Sequence, residues 1–245
     1  MHHGWCIPAL SAMLWWIMLI VLLSTWAAQG HPIYSDMTGG QTIAYLSHIA
    51  ATNLQPVFYI LSGAQGILFA FSVYLCYNIW RKGGYLNSLR LPRLCGKFSI
   101  LVAVLGQFAI VFCASFNTRS FHNVHISMLV VFIVCIGLCV ILNLIQTIII
   151  HKRVPNLNLK TTIYCKVVWL AIAAAVGFSF LGTMWSASTG SMYNASAVLE
   201  WLLAFWYPIF TCLLAYDVKF LPILMFNDNF SRQTLTVDSM EKDTF

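Results

Sequence analysis

The chain has 245 residues, of which 60% are apolar and only 8% charged, with a mean hydropathy of +0.80. A soluble domain of this length needs far more charge to cover its surface, so the composition excludes one and predicts an all-α, multi-pass membrane protein. The net charge of +6 is then a matter of which loops carry it, since Lys and Arg accumulate on the cytosolic side of membranes; nucleic-acid binding is not implied.

Six apolar segments are long enough to cross a bilayer: residues 7–28, 56–80, 98–115, 124–150, 164–184 and 197–217. At about 1.5 Å of rise per residue, most match or approach a hydrocarbon core of roughly 30 Å. The first is flanked by Trp5 and Trp26, rings suited to the headgroup level. It lacks the basic start and short apolar core of a secretory signal, and is read as a retained span. Residues 29–55 form the longest connection and contain no Lys or Arg. Pro56 suits the first turn of the second span, where Ser62 and Gly66 allow another helix to approach closely.

The fifth span is rich in small residues, Ala171, Ala173, Ala174, Ala175, Gly177 and Gly182, which predicts a tightly packed, interior helix. Pro208, in the middle of the sixth, removes a backbone donor and predicts a kink. Residues 227–245 place Asp228, Asp238, Glu241 and Asp243 among Ser and Thr. They read as a disordered cytosolic tail open to phosphorylation, leaving 1–226 as the six-helix domain.

Six spans separate the loops by charge. Residues 81–97 carry Arg81, Lys82, Arg90, Arg93 and Lys97, residues 151–166 carry Lys152, Arg153, Lys160 and Lys166, and the segment from Lys219 carries three more. The opposite loops hold only Arg119. Both termini are therefore expected in the cytosol, with the loops at 29–55, 116–123 and 185–195 lumenal or extracellular. Asn194, in the sequon Asn194-Ala195-Ser196, is a candidate for glycosylation there. All eight cysteines lie in apolar spans or basic flanks, so no disulfide framework is expected. Cys76, Cys95 and Cys165, near cytosolic ends, are chemically open to S-palmitoylation.

The same orientation gathers unusual polar residues at one face. His48, Asn117, Arg119, His122, His125 and Glu200 form the candidate site, with Asp36, Asn53, Gln55 and Asn123 nearby. His122 and His125, three apart, share a helix face if the fourth helix starts early. Three readings stay open: helix capping and packing, a polar mouth for a lipid headgroup, or a zinc-type set of histidines and a carboxylate. No H-E-x-x-H or Cys/His signature is present, and neither a metal nor a cofactor is assigned. Glu200 is expected in the first turn of its helix, complementing the dipole or pairing with Arg119, His122 or His125. Asp217 is read as a boundary residue beside Lys219. Gln65, Asn78, Gln107, Asn143 and Gln146 suit interhelical hydrogen bonds.

Three stretches resemble a known family. Ser196-Ala197-Val198-Leu199-Glu200-Trp201-Leu202-Leu203-Ala204-Phe205, with Asp217 closing the helix, resembles the last span of the damage-regulated autophagy modulator (DRAM) family. That family also groups the fungal suppressor-of-four-kinase (Sfk) membrane proteins and proteins of GPI-lipid remodelling. Ala114-Ser115-Phe116-Asn117 with Val124-His125 is similar to its junction into the fourth span. Ile43-Ala44-Tyr45-Leu46-Ser47-His48 is similar to its first-loop motif, with His48 where the family pattern has Asp. The resemblance implies a regulator of membrane lipid organisation, phosphoinositide signalling or autophagy, in the plasma membrane or a vacuolar or lysosomal membrane. Its implied partners are membrane lipids, other membrane proteins or a lipid-kinase complex. It supplies no catalytic residue, so an enzymatic role is secondary: a GPI or phospholipid-remodelling factor using a lumenal His/Glu site. A transporter is the third reading.

Overall fold

The structure, a computed structural model, describes residues 3–87 and 89–242, with side chains through 225. The side chains of the expected tail, residues 227–245, therefore lie outside the described residues. The chain runs α1 (Cys6–Ala28), α2 (Leu46–Ala50), α3 (Gln55–Lys82), α4 (Arg90–Ser115), α5 (His122–Arg153), α6 (Lys160–Ser186) and α7 (Gly190–Lys242). Six of these are long and apolar enough to cross a membrane, α7 through its portion Gly190–Met225. No strand occurs among the described residues.

α4 lies against α3 and α5, α1 against α3 and α7, and α6 against α7, whereas α5 and α6 meet along much less of their length. One aromatic-rich core, including Trp15, Phe69, Phe132, Trp169, Trp201 and Phe210, joins the helices. A smaller cluster of Trp80, Leu86, Ile150, Leu157 and Leu221 closes the end nearer Asp217. Gly96 brings α3, α4 and α5 together there: an added Cβ would meet Tyr77 at 2.4 Å and Gln146 at 2.5 Å.

Pro208, one of two prolines inside α7, explains the place of Trp15, and three more tryptophans bond nearby. Pro208 has no N–H, so the carbonyl of Ala204, four residues earlier, loses its helical donor. Inside a membrane such a group needs a replacement, and the indole N–H of Trp15 in α1 donates to it at 2.9 Å. Trp16 donates to the next carbonyl, Phe205, at 3.2 Å. Trp169 of α6 donates to Trp206, whose own indole returns a bond to the Trp169 carbonyl, both at 3.1 Å.

Several expectations need correction. α4, which contains the expected span 98–115, already begins at Arg90, and Pro92 is tolerated because it falls in the first turn, where its missing N–H is harmless. Arg93 then holds the preceding turn, donating to the carbonyls of Leu86 at 2.7 Å and Asn87 at 2.5 Å. α6 is not an interior helix. Only 17% of its most apolar window is buried, against 33% or more in the other five, and Ala171, Ala175 and Gly182 are exposed. Its small residues leave the surface bare instead of drawing a neighbour in. Cys76 and Cys95 are buried, which removes them from the surface a palmitoyltransferase would need. All eight cysteines are free.

Candidate functional site

The first loop is strapped to the start of α7. Gly39 and Gly40 have positive φ, and Gly190 lies so close that a Cβ there would sit 2.5 Å from the Gly40 oxygen. Past this crossing, the side-chain oxygen of Asn194 accepts the backbone N–H of both Thr42 and Ile43 at 2.8 Å, and its amide donates to Thr42 Oγ1 at 2.9 Å. The Trp201 indole donates to the Ala44 carbonyl at 3.0 Å. Glu200 Oε2 accepts the N–H of Leu46 at 2.7 Å. Leu46 opens α2, so its amide is one of the donors a helix start leaves unpaired. Glu200 thus caps a helix, but not its own: α7 begins at Gly190, ten residues earlier.

The other candidates divide into a separate group. Arg119 lies 3.8 Å from Asp36, not beside Glu200. Two carbonyls at His125 Nδ1, Cys113 at 2.8 Å and Phe116 at 3.0 Å, put the ring proton there and leave Nε2 as an acceptor. His125 therefore ties off the C-terminal end of α4. His122 is exposed, with Nδ1 3.2 Å from the Thr118 hydroxyl. Asn117 accepts the N–H of Ser120 at 2.9 Å and approaches Gln55 at 3.4 Å. Gln55 itself holds the carbonyls of Ala114 and Ser115.

His48 is buried, edge-on to Tyr45 at 5.1 Å, and its Nδ1 has no hydrogen-bond partner. Burial holds its imidazole below the usual range; His122, His125 and Arg119 lower it further, while Asp36 opposes them. Among the described residues, no three His, Cys, Asp or Glu side chains are grouped to hold a metal.

The two groups meet at a cavity of about 350 Å³. It is lined chiefly by α5, α6 and α7, with Trp15 of α1, Phe58 of α3, Cys113 of α4 and the start of α2 at its edge, and its walls are mainly apolar. Glu200, His125 and Ser47 supply polar atoms at one end and Tyr207 at the other. Beneath it the Tyr207 hydroxyl receives the amides of Gln65 and Gln107, both at 2.9 Å. Trp15, Phe132 and Phe69 surround that ring, so packed aromatic side chains separate Glu200 from Gln146, which bonds the Pro92 carbonyl.

A second polar cluster was missed by reading Lys166 as loop charge and Asp217 as a boundary. Lys166 Nζ lies 2.5 Å from Asp217 Oδ2 and 2.8 Å from Asn143 Oδ1, while the Thr162 hydroxyl donates to Asp217 Oδ1 at 2.6 Å. Both ionic side chains are almost wholly enclosed, at 1% and 4% exposure. The available signal was the apolar flank on each side: Val167-Val168-Trp169 after Lys166, and Leu213-Leu214-Ala215 before Asp217. A charge so embedded is rarely left unpaired.

Residues 3–220 match the family model described as the Frag1/DRAM/Sfk1/Cwh43P N-terminal domain. The chain is also 27% identical, over 281 aligned positions, to Protein SFK1 of Saccharomyces cerevisiae, covering 86% of this chain and 76% of the yeast one. No solved structure matches the chain.

Proposed function

This chain belongs to the Frag1/DRAM/Sfk1/Cwh43P family, and from that premise we propose that it regulates the lipid organisation of the membrane it spans. It does so by holding membrane lipid, not by catalysing a reaction. The observation that carries this reading is the cavity between α5, α6 and α7, apolar along its length and polar at the Glu200 end. Its volume of about 350 Å³ falls in the range of ligand sites, roughly 300–1,000 Å³. The end bearing Asp217 faces the cytosol, where the basic residues meet anionic lipid. The membrane is the plasma membrane or a vacuolar or lysosomal one.

Enzymatic remodelling is the weaker reading, because Glu200 and His125 are each bonded to backbone groups and the thiol beside His125, that of Cys113, is buried. A transport path is weaker again, given the aromatic packing around Tyr207.

Gly137 lines the cavity with open space where its Cβ would be, so Gly137→Leu fills it from α5. In cells lacking the endogenous protein, the wild type should restore lipid composition and transbilayer distribution, phosphoinositides included. Gly137→Leu, with an unchanged melting temperature, should not. Equal rescue by both would overturn the reading, as would no lipid response to the wild type. Wild-type GPI and phospholipid species in cells carrying folded Glu200→Gln or His125→Ala exclude the enzymatic alternative.

A further inference from the structure

Resting on that reading, we infer that the cavity selects a neutral lipid alcohol, one apolar chain or ring system ending in a hydroxyl, over a phosphate-headed lipid. The cavity opens sideways between α5 and α6. Phe178, Val134 and Leu138 line it and are also 76%, 51% and 44% exposed on a surface that meets hydrocarbon in a membrane. A lipid can therefore reach it laterally without leaving the bilayer. The interior is small: about 350 Å³ lies at the low end for ligand sites, so it takes one chain or ring system and leaves the rest of the molecule outside.

The polar end decides the headgroup. Glu200 Oε2 is occupied by Leu46, and no hydrogen bond from the described residues reaches its other oxygen. His125 offers Nε2 as an acceptor, its Nδ1 proton being held by the Cys113 and Phe116 carbonyls. The Cys113 thiol lies 3.5 Å from that Nε2 and is a weak competitor for it. The wall is thus set to accept a proton, and no Lys or Arg is part of it. The nearby cation, Arg119, is turned to Asp36. A phosphate there would be buried with no cation to neutralise it, which selects against it. A hydroxyl would donate to Glu200 Oε1 or to His125 Nε2, the acceptors left open there. Helical rise puts Tyr207 about 10 Å below Glu200, which sets the depth to which the apolar body reaches.

The test uses the full-length protein in nanodiscs with photoactivatable, alkyne-tagged diacylglycerol, ceramide and sterol probes, and phosphatidic acid carrying the same tagged chain. Labelled peptides are mapped by mass spectrometry, and native mass spectrometry reports bound lipid and oligomeric state. At least one hydroxyl probe should label the α5 and α6 segments lining the cavity roughly tenfold more than phosphatidic acid, equivalent to about 1.4 kcal/mol. Which of the three does so identifies the source of the hydroxyl. Gly137→Leu should remove the labelling, and Glu200→Gln, melting as the wild type, should lower the preference severalfold. Equal labelling by phosphatidic acid would overturn the selectivity while leaving lipid binding in place. No labelling by any probe, or a second copy seated between α5 and α6, would overturn both.

Discussion

Lys166 and Asp217 form a buried ion pair, Nζ to Oδ2 at 2.5 Å, completed by Asn143 and Thr162. It joins α5, α6 and α7 near one end of an interface whose other part is opened by the cavity. α6 is thus held by charge where it touches α5 and left loose where lipid would sit. Removing one partner leaves the other charged and enclosed, so Asp217→Asn or Lys166→Met should destabilise the protein by about 3–5 kcal/mol. The double replacement Lys166→Met/Asp217→Leu should lose less than either single change. Thermal unfolding in detergent, arranged as a double-mutant cycle, measures this; additive losses would show the pair is not coupled.

The bond from Trp15 to the Ala204 carbonyl makes a second coupling measurable. Trp15→Phe leaves that carbonyl without a donor, at about 1–3 kcal/mol. In a Pro208→Ala background the helix supplies its own N–H, so the same change should be milder by about 1 kcal/mol. Equal losses in both backgrounds would mean the indole acts through packing alone.

His48 predicts acid sensitivity in the first loop. Its folded pKa is lowered from the ordinary 6.5, chiefly by burial, so the unfolded form binds more protons below that value. Stability is therefore full above about pH 6.5 and is lost as the pH falls towards the folded pKa. Amide exchange at residues 42–50 should quicken between pH 7 and pH 5, and His48→Gln should flatten that dependence. An unchanged pH response in the variant would assign the effect to another group.

Asn194 is expected to carry no glycan. Its amide nitrogen donates to Thr42 and its oxygen takes two backbone N–H groups, so the side chain is turned into the strap and not presented to a glycosyltransferase. Endoglycosidase treatment should leave gel mobility unchanged. Asn194→Ala should loosen the strap by about 1 kcal/mol, since the two amide donors it releases are exposed or half-buried and water can reach them.

The number and order of the spans were legible in the sequence because the need to bury backbone polar groups in hydrocarbon writes itself as long apolar runs, and these appear as α1, α3, α4, α5, α6 and α7. The polar residues of the candidate site were legible too, as residue types rare in such a chain. Their partners were not. Glu200 bonds a backbone amide 154 residues away, and a backbone donor carries no sequence signature. Small residues marked α6 as interior, yet exposure depends on which helix faces them, and none of the described helices covers Ala171 or Gly182.

Lys166 and Asp217 looked like boundary charges because hydropathy registers distance along one helix. Only the packing of α5, α6 and α7 decides that the two charges point at one another. Composition by itself thus determined that this protein lives in a membrane and how often it crosses. The tertiary structure alone decided where its charges are neutralised and where the bundle stays open, because both depend on side chains that meet across helices far apart in the chain.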